Sequence, residues 1–107
     1  MTESNEEGLR PRLSNTQQLL EMVEELMDHR QIALWHDQDR RPFASIKTGT
    51  HDENLPVMST AFEFRMREIF YTYRHGIVPE KSLKEVVDYL AGMAILEGEE
   101  FASPYRV

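Results

Sequence analysis

Residues 32–47 read IALWHDQDRRPFASIK, and this stretch decides the class of the fold. Two apolar runs, 32–36 and 42–47, flank the polar residues 37–41, a pattern that predicts a β-hairpin with the polar residues at its turn. An isolated hairpin is only marginally stable in water. We therefore expect it to gain a third strand from residues 103–107 at the C-terminus and to pack against helices.

The residues before the hairpin have the pattern of an amphipathic helix over about 15–30. Apolar side chains recur there at three- and four-residue intervals, and acidic residues fill the other face. Ser14 and Asn15 offer N-cap oxygens, while His29 and Arg30 stand at the negative end of the helix dipole. The predicted apolar stripe consists of Leu19, Leu20, Met22, Val23, Leu26 and Met27.

Residues 48–58, TGTHDENLPVM, are rich in turn-forming residues and predict a loop. A second helix then begins at Ser59 or Thr60, because Thr60 and Glu63 have the spacing of a capping box. We expect this helix to end at Gly76 as its C′ residue. Its predicted apolar stripe consists of Phe62, Met66, Ile69, Phe70 and Tyr73.

A third helix follows a short connection, with Pro79 suited to its first turn and Gly98 to its end. Ser82 with Glu85 offers a second possible start. Gly92 lies inside the pattern and costs roughly 1 kcal/mol relative to alanine, so it predicts the close approach of another element. The predicted buried positions are Leu83, Val86, Val87, Leu90, Ala91 and Ala94.

The predicted order of elements is helix, hairpin, helix, short turn, helix and strand, which is an α+β fold. Two helices joined by a short turn and followed by a strand also describe a helix-turn-helix with the start of a wing, so the expected arrangement is winged-helix-like. A chain of 107 residues has room for one domain. We place it at 14–107, behind a flexible polar lead-in at 1–13.

The composition excludes several kinds of site. The chain has no cysteine, which excludes disulfides, thiolate zinc sites, iron–sulfur clusters and a cysteine nucleophile. Glycine-rich phosphate-binding motifs are missing as well. We expect neither a membrane span nor an export signal, since no window approaches 18 apolar residues and the N-terminus has no apolar stretch behind a basic region. The predicted location is therefore the cytoplasm.

The charge balance argues against a generic DNA-binding protein. The formal net charge is −7, distributed as −5 over residues 1–28, +1 over residues 29–77 and −3 over residues 78–107. Because DNA affinity rests on basic residues that neutralise phosphates, only the middle segment could contact a phosphate backbone.

Basic side chains in that middle segment are the candidate contact residues for nucleic acid or for an acidic partner surface. They stand at the predicted hairpin tip and on the second helix, at Arg40, Arg41, Arg65, Arg67, Arg74 and His75. The alternative is that these arginines are solvated neighbours of Glu63, Glu68 and Asp39.

Six residues around the hairpin and the segment after it have the chemistry of metal ligands, and the hairpin geometry could bring the groups 36–39 and 51–53 together. Their spacing matches no zinc or calcium signature, so we predict a solvated turn with no metal, no cofactor and no catalytic residue. A metal-assisted hydrolase using His36, Asp37 and His51 is the remaining alternative. The six residues are His36, Asp37, Asp39, His51, Asp52 and Glu53.

The aromatic residues are predicted to fill the core. Stacking on nucleic-acid bases would need two or more of them exposed on one sheet face. The predicted core aromatics are Trp35, Phe43, Phe62, Phe70 and Tyr73.

From Ala33 to Val107 the order of features resembles a segment of phage- and plasmid-type DNA primase-helicases, replication proteins with a RecA-like or AAA+-type ATPase core. Three stretches carry the resemblance: LWHDQDRRPFASI at 34–46, LPVMSTAFEFRMREIFY at 55–71 and SLKEVVDYLAGMAILEGEE at 82–100. The single residues that correspond are His36, Asp37, Phe43, Ala44, Ile46, His51, Pro56, Ser59, Phe62, Phe70, Tyr71, Gly76, Pro79, Leu83, Ala91, Glu97, Gly98, Tyr105, Arg106 and Val107.

The resemblance implies a non-enzymatic accessory or linker domain that lies beside the ATPase core and docks or positions DNA or that ATPase. Its expected partners are an adjoining or separate helicase or primase protein and, weakly, DNA. Family members often carry Trp where this chain has Leu55, and a more basic second helix, so the DNA-binding role is expected to be weaker here. By this pattern the chain is either an excised fragment or a stand-alone relative.

A function of another class fits the acidic N-terminal part. The chain would then be a small stand-alone protein-interaction or inhibitory protein, of phage origin for example, whose acidic face imitates nucleic acid. Its affinity would reside in the first helix, at Glu21, Glu24 and Glu25.

Overall fold

The chain folds into three α-helices and a four-stranded mixed β-sheet, which confirms the predicted α+β class. The computed structural model describes residues 14–102, so the predicted lead-in at 1–13 and the predicted strand at 103–107 lie outside the described residues. The likeness to a winged helix and the domain limits stay predictions. In chain order the elements are α1 (Asn15–Asp28), β1 (Ile32–His36), β2 (Pro42–Thr48), β3 (His51–Pro56), α2 (Thr60–Arg74), α3 (Glu80–Leu96) and β4 (Glu99–Glu100).

Strands β1 and β2 form the predicted antiparallel hairpin. Ile32 lies opposite Ile46, and His36 lies opposite Pro42. Because side chains alternate along a strand, Ile32, Ala44 and Ile46 share one face of the sheet. All three belong to the buried core, so this face is the one that the helices cover.

The predicted loop at 48–58 is wrong, because it contains the strand β3. This strand pairs antiparallel with β2, and the register ends with Thr48 opposite His51. The turn between the two strands contains Gly49, whose φ of +62° is a left-handed conformation that glycine adopts without strain. Strand β3 is an edge strand, and its charged side chains discourage pairing with another chain. Because most residues of β3 are polar, the alternation of apolar residues that predicts a strand is missing from it.

The strand order is β3-β2-β1-β4, and β4 runs parallel to β1. The hairpin thus gains a strand on each side, β3 on one edge and the two-residue β4 on the other. Both strands precede the C-terminal residues that the prediction named.

Helix α1 begins where predicted, with Ser14 as its N-cap. The Ser14 hydroxyl accepts the Gln17 N–H at 3.1 Å, and the Gln17 side-chain oxygen accepts the Ser14 N–H at 3.1 Å, which is a capping box. The helix ends at Asp28, earlier than predicted, because Arg30 adopts a left-handed φ of +60°.

No helix within residues 14–102 is long and apolar enough to cross a membrane.

Helix α2 begins where predicted, at Ser59 or Thr60, but its capping differs from the prediction. Ser59 is its N-cap, and the Ser59 hydroxyl accepts the Phe62 N–H at 3.2 Å. The predicted capping box that starts at Thr60 is therefore wrong, because Thr60 already lies inside the helix. At the other end His75, with a φ of +56°, takes the left-handed position that was assigned to Gly76.

Helix α3 follows Pro79 as its N-cap, and all of its predicted apolar positions are buried. The prediction for Gly92 is wrong, because a Cβ atom there would meet no atom within 4 Å. The close approach occurs at Gly98 instead. A Cβ atom on Gly98 would lie 2.5 Å from the Ala94 carbonyl oxygen and 2.8 Å from the Leu34 carbonyl oxygen.

Four of the five aromatic residues assigned to the core are buried. Phe62 and Phe70 lie among the helices in the main core. Trp35 and Phe43 lie on the opposite sheet face, where their rings stack with centroids 4.6 Å apart. The prediction for Tyr73 is wrong, since 61% of this residue is exposed.

Candidate functional site

The hairpin tip places its two predicted contact residues in different environments. Arg41 donates from Nε to Oδ2 of Asp37 at 2.8 Å, and another guanidinium nitrogen lies 3.5 Å from Asp39. Arg40 has a left-handed φ of +60° and is exposed, and it forms no ion pair with any residue between 14 and 102. The Arg41 guanidinium therefore holds the turn together, while that of Arg40 faces solvent.

Arg65 ties α2 to the edge of the sheet. Its Nε donates to Glu53 at 2.9 Å, and one terminal nitrogen donates to Glu68 at 2.8 Å. The other terminal nitrogen lies 3.3 Å from the Thr48 hydroxyl. Less than a quarter of the Arg65 side chain is exposed. This arginine is a structural link between a helix and two strands.

The other candidate residues on α2 lie near its C-terminal half. Arg74 approaches Glu25 of α1 at 3.5 Å. Arg67 is half-buried and has no ion pair in the described part of the chain. His75 caps the helix and is exposed. Among the described residues, Arg67 and Arg40 are thus the two candidate arginines whose charge is not matched by a carboxylate.

The structure places the candidate residues in two separate regions. Arg41 precedes Pro42 at the start of β2, whereas Arg65 contacts Thr48 at the end of the same strand. A seven-residue strand spans about 20 Å, so the hairpin tip and the Arg65 side of α2 do not share one surface. The sequence also allowed that the arginines are neighbours of acidic residues and not contact residues for a partner. Arg41 with Asp39 and Arg65 with Glu68 agree with that alternative.

Residues 36–39 and 51–53, which the hairpin geometry could have brought together, lie at opposite ends of the sheet. His36 lies at one end of the sheet beside Pro42, and His51 lies at the other end beside Thr48. Within residues 14–102 no group of three or more His, Cys, Asp or Glu side chains could hold a metal ion. The His36 ring instead meets the Ala94 carbonyl oxygen through Nδ1 at 2.8 Å.

The prediction of a solvated turn is wrong for Asp37, which is fully buried. Its Oδ1 accepts the N–H groups of Asp39 at 2.9 Å and Arg41 at 2.8 Å. Burial raises the pKa of Asp37, but the hydrogen bonds from the Arg41 N–H, the Arg41 guanidinium and the Asp39 N–H outweigh it. The pKa therefore lies below its ordinary value of 3.8. Asp37 is an ionised anchor of the hairpin turn.

The solvent side of α2 carries two large aromatic side chains that were not among the predicted contact residues. Phe64 is 64% exposed and Tyr71 is 65% exposed. Seven residues span two helical turns, so both rings point to the side opposite the buried stripe of this helix. Arg67 stands one turn from each of them. We call Phe64, Arg67 and Tyr71 the α2 outer face.

The sequence contained a signal for this surface. The outer aromatics fall outside the three- and four-residue spacing of the buried stripe, which runs through Phe62, Met66, Ile69 and Phe70. When two apolar residues have helical spacing relative to each other but not relative to the buried stripe, they indicate a second apolar side on the same helix.

Comparison of the chain with protein-family models, curated proteins and solved structures finds no match. The resemblance to primase-helicases therefore stays a prediction.

Proposed function

We propose that the chain is a non-catalytic docking module that binds a partner protein through the α2 outer face. The observation that carries the proposal is the exposure of Phe64 and Tyr71 on one side of one helix. Aromatic residues and arginine are enriched at the centres of protein–protein interfaces, and the α2 outer face combines two aromatics with Arg67.

The charge distribution supports a protein partner over DNA. The chain has a net charge of −7. Arg41, Arg65 and Arg74 already face carboxylates within the described residues. A charge that is already matched adds little to phosphate affinity, so any DNA contact of this module would be weak and salt-sensitive.

The resemblance of the sequence to primase-helicases supplies the proposed partner. It is the RecA-like or AAA+-type ATPase of a DNA replication protein, joined to this module or separate from it. The module would position that ATPase or hold it against another component. With such a partner, the proposed location of the chain is the cytoplasm.

The test is calorimetric titration of the full chain against the replication ATPase encoded in the same genome. Truncation of a central aromatic residue often costs at least about 2 kcal/mol of binding free energy, so a Phe64→Ala/Tyr71→Ala variant should bind at least about tenfold more weakly. Tyr89→Ala is the matched control, because Tyr89 is also an exposed aromatic but lies on α3. Unchanged affinity of the double variant would refute the α2 outer face as the docking surface.

A second candidate function is supported by the acidic outer side of α1. The outer side of α1 presents Glu21, Glu24 and Asp28, none of which forms an ion pair within residues 14–102. An acidic helix of this kind fits an interaction or inhibitory protein that binds a basic surface in place of nucleic acid. In that case a Glu21→Gln/Glu24→Gln variant would lose affinity for the partner and the aromatic double variant would not.

A further inference from the structure

The face of the sheet that the three helices leave open carries a groove of about 710 Å³. The strand register puts Trp35 of β1, Ser45 of β2 and Asp52 of β3 on this face, because they alternate with the residues that face the core. The segment after α3 forms the other side of the groove. We call this feature the sheet groove, and its chemically distinctive lining residues are Trp35, Ser45, Asp52, Glu97, Glu99 and Phe101.

The wall of the sheet groove is aromatic and fixed in place. The Trp35 indole N–H donates to the Ser45 hydroxyl at 3.0 Å, and that hydroxyl donates to the Asn54 side-chain oxygen at 2.6 Å. The ring of Phe101 meets Trp35 edge-on, with centroids 5.7 Å apart and an interplanar angle of 83°. Trp35 is thus held from two sides, while half of Phe101 is open to solvent.

The sheet groove is strongly acidic. Asp52, Glu97 and Glu99 line it, all three are exposed, and none forms an ion pair within the described residues. Glu97 is also the C-cap of α3, where the helix dipole adds negative potential. No basic side chain is among the lining residues that the structure describes. Lys47 lies opposite Asp52 on the same sheet face, since it alternates with the core residue Ile46, and the three carboxylates outnumber this single cation.

We propose that the sheet groove binds an arginine side chain presented by a basic segment of a partner protein. A guanidinium group pairs with carboxylates through its planar set of N–H donors and stacks on aromatic faces. The sheet groove supplies both kinds of contact, since its carboxylates and the half-exposed ring of Phe101 line the same groove. A neutral donor would form weaker hydrogen bonds to these carboxylates than a guanidinium group does. This surface lies across the sheet from the helices, so the proposal does not depend on the α2 outer face.

The experiment follows the indole N–H resonance of Trp35 in the ¹⁵N-labelled full chain. Trp35 is the only tryptophan, so its indole signal is unique. The probes are two capped peptides, Gly-Gly-Arg-Gly-Gly and the same peptide with citrulline, which has the shape of arginine without its charge. We expect a saturable shift with the arginine peptide and at least about tenfold weaker binding of the citrulline peptide.

Charge-neutralising variants test the carboxylates. An Asp52→Asn/Glu97→Gln/Glu99→Gln variant should bind the arginine peptide at least about tenfold more weakly. The matched control Glu80→Gln/Glu85→Gln/Asp88→Asn changes the net charge equally at exposed positions of α3 that do not line the groove, and it should keep the affinity within about twofold. The amide signals of α1 and α2 report whether each variant is folded.

Four results would overturn the proposal. They are equal binding of the two peptides, an equal loss of affinity in the α3 control, and no saturable shift up to about 10 mM peptide. The fourth is a gain in peptide affinity on Arg106→Gln substitution in the full chain, since the groove would then belong to the C-terminal segment of the chain itself.

Discussion

Gly98 packs against the backbone of Leu34 so closely that a Cβ atom on Gly98 would stand 2.8 Å from the Leu34 carbonyl oxygen. Its other near neighbours, the Ala94 carbonyl oxygen and Trp35 Cα, are also backbone atoms. Backbone atoms cannot rotate aside as a flexible side chain can. We expect Gly98→Ala to lower the free energy of unfolding by about 1–3 kcal/mol, measured by urea denaturation.

Gly92 provides the matched control for this substitution. It lies inside α3, and a Cβ atom there meets nothing within 4 Å. Gly92→Ala should therefore raise the free energy of unfolding by up to roughly 1 kcal/mol through helix propensity. Equal stability of the Gly98→Ala variant and the unsubstituted chain would show that β1 and the end of α3 are not packed as described.

The buried carboxylate of Asp37 should make the stability depend on acid. Its pKa in the folded chain is lower than in the unfolded chain, because the Arg41 and Asp39 donors stabilise the ionised form. The associated stabilisation is fully present above the ordinary value of 3.8 and is lost as the pH falls through the lower, folded pKa. Asp37→Asn should destabilise the chain near neutral pH and flatten this acid dependence.

Urea unfolding curves between about pH 7 and pH 2 measure both effects of the Asp37→Asn substitution. Asp39→Asn is a suitable control, because Asp39 lies in the same turn but is exposed. If the Asp37→Asn variant loses stability with acid as steeply as the unsubstituted chain, Asp37 is not the group responsible.

The Arg65 link between α2 and the strand edge should contribute to stability. Arg65→Met keeps much of the aliphatic bulk but removes the hydrogen bonds to Glu53, Glu68 and Thr48. Because these groups are partly exposed, we expect a loss of about 1 kcal/mol, smaller at high salt. Arg67→Met, which breaks no ion pair in the described part of the chain, should change thermal stability little. Equal effects of the two substitutions would contradict a linking role for Arg65.

DNA binding should be weak, with a shallow dependence on salt. Arg40 and Arg67 are the two candidate arginines without a carboxylate partner among the described residues. Two phosphate contacts correspond to a log–log slope of about −2 for duplex DNA. Fluorescence anisotropy from about 20 mM salt upward measures this slope. An Arg40→Glu/Arg67→Glu variant should no longer bind DNA. A markedly steeper slope for the unsubstituted chain would show that the ion-paired arginines also move to contact phosphates.

The periodic parts of the fold were predictable from the sequence, because burial imposes a pattern on the chain. Leu83, Val86 and Leu90 show it in α3, and all three are buried. Strand β3 escapes the same reasoning. Its residues His51–Pro56 are mostly polar, and their strand conformation comes from pairing with β2. A partner strand can impose this conformation where the local sequence does not favour it.

The candidate surfaces were less predictable, for two physical reasons. The burial of Asp37 depends on how the turn closes around its carboxylate, which no spacing rule contains. The sheet groove depends on register, because only the pairing of β1, β2 and β3 brings Trp35, Ser45 and Asn54 into one hydrogen-bonded row. The outer aromatics Phe64 and Tyr71, in contrast, could have been predicted from the sequence, because their seven-residue spacing places them together on the side of the helix away from the buried stripe.

The parallel pairing of β4 with β1 also determines the order in which the sheet can assemble. Strands β1, β2 and β3 each pair with a neighbour in sequence, so short turns can close them in microseconds. Strand β4 follows α3 in the chain, so we expect it to pair with β1 only after that helix has formed. The Phe101 amide, which bonds to the His36 carbonyl oxygen at 2.9 Å, belongs to that late contact. We therefore expect native-state hydrogen exchange to begin at this edge, where β4 has only two residues and both are exposed.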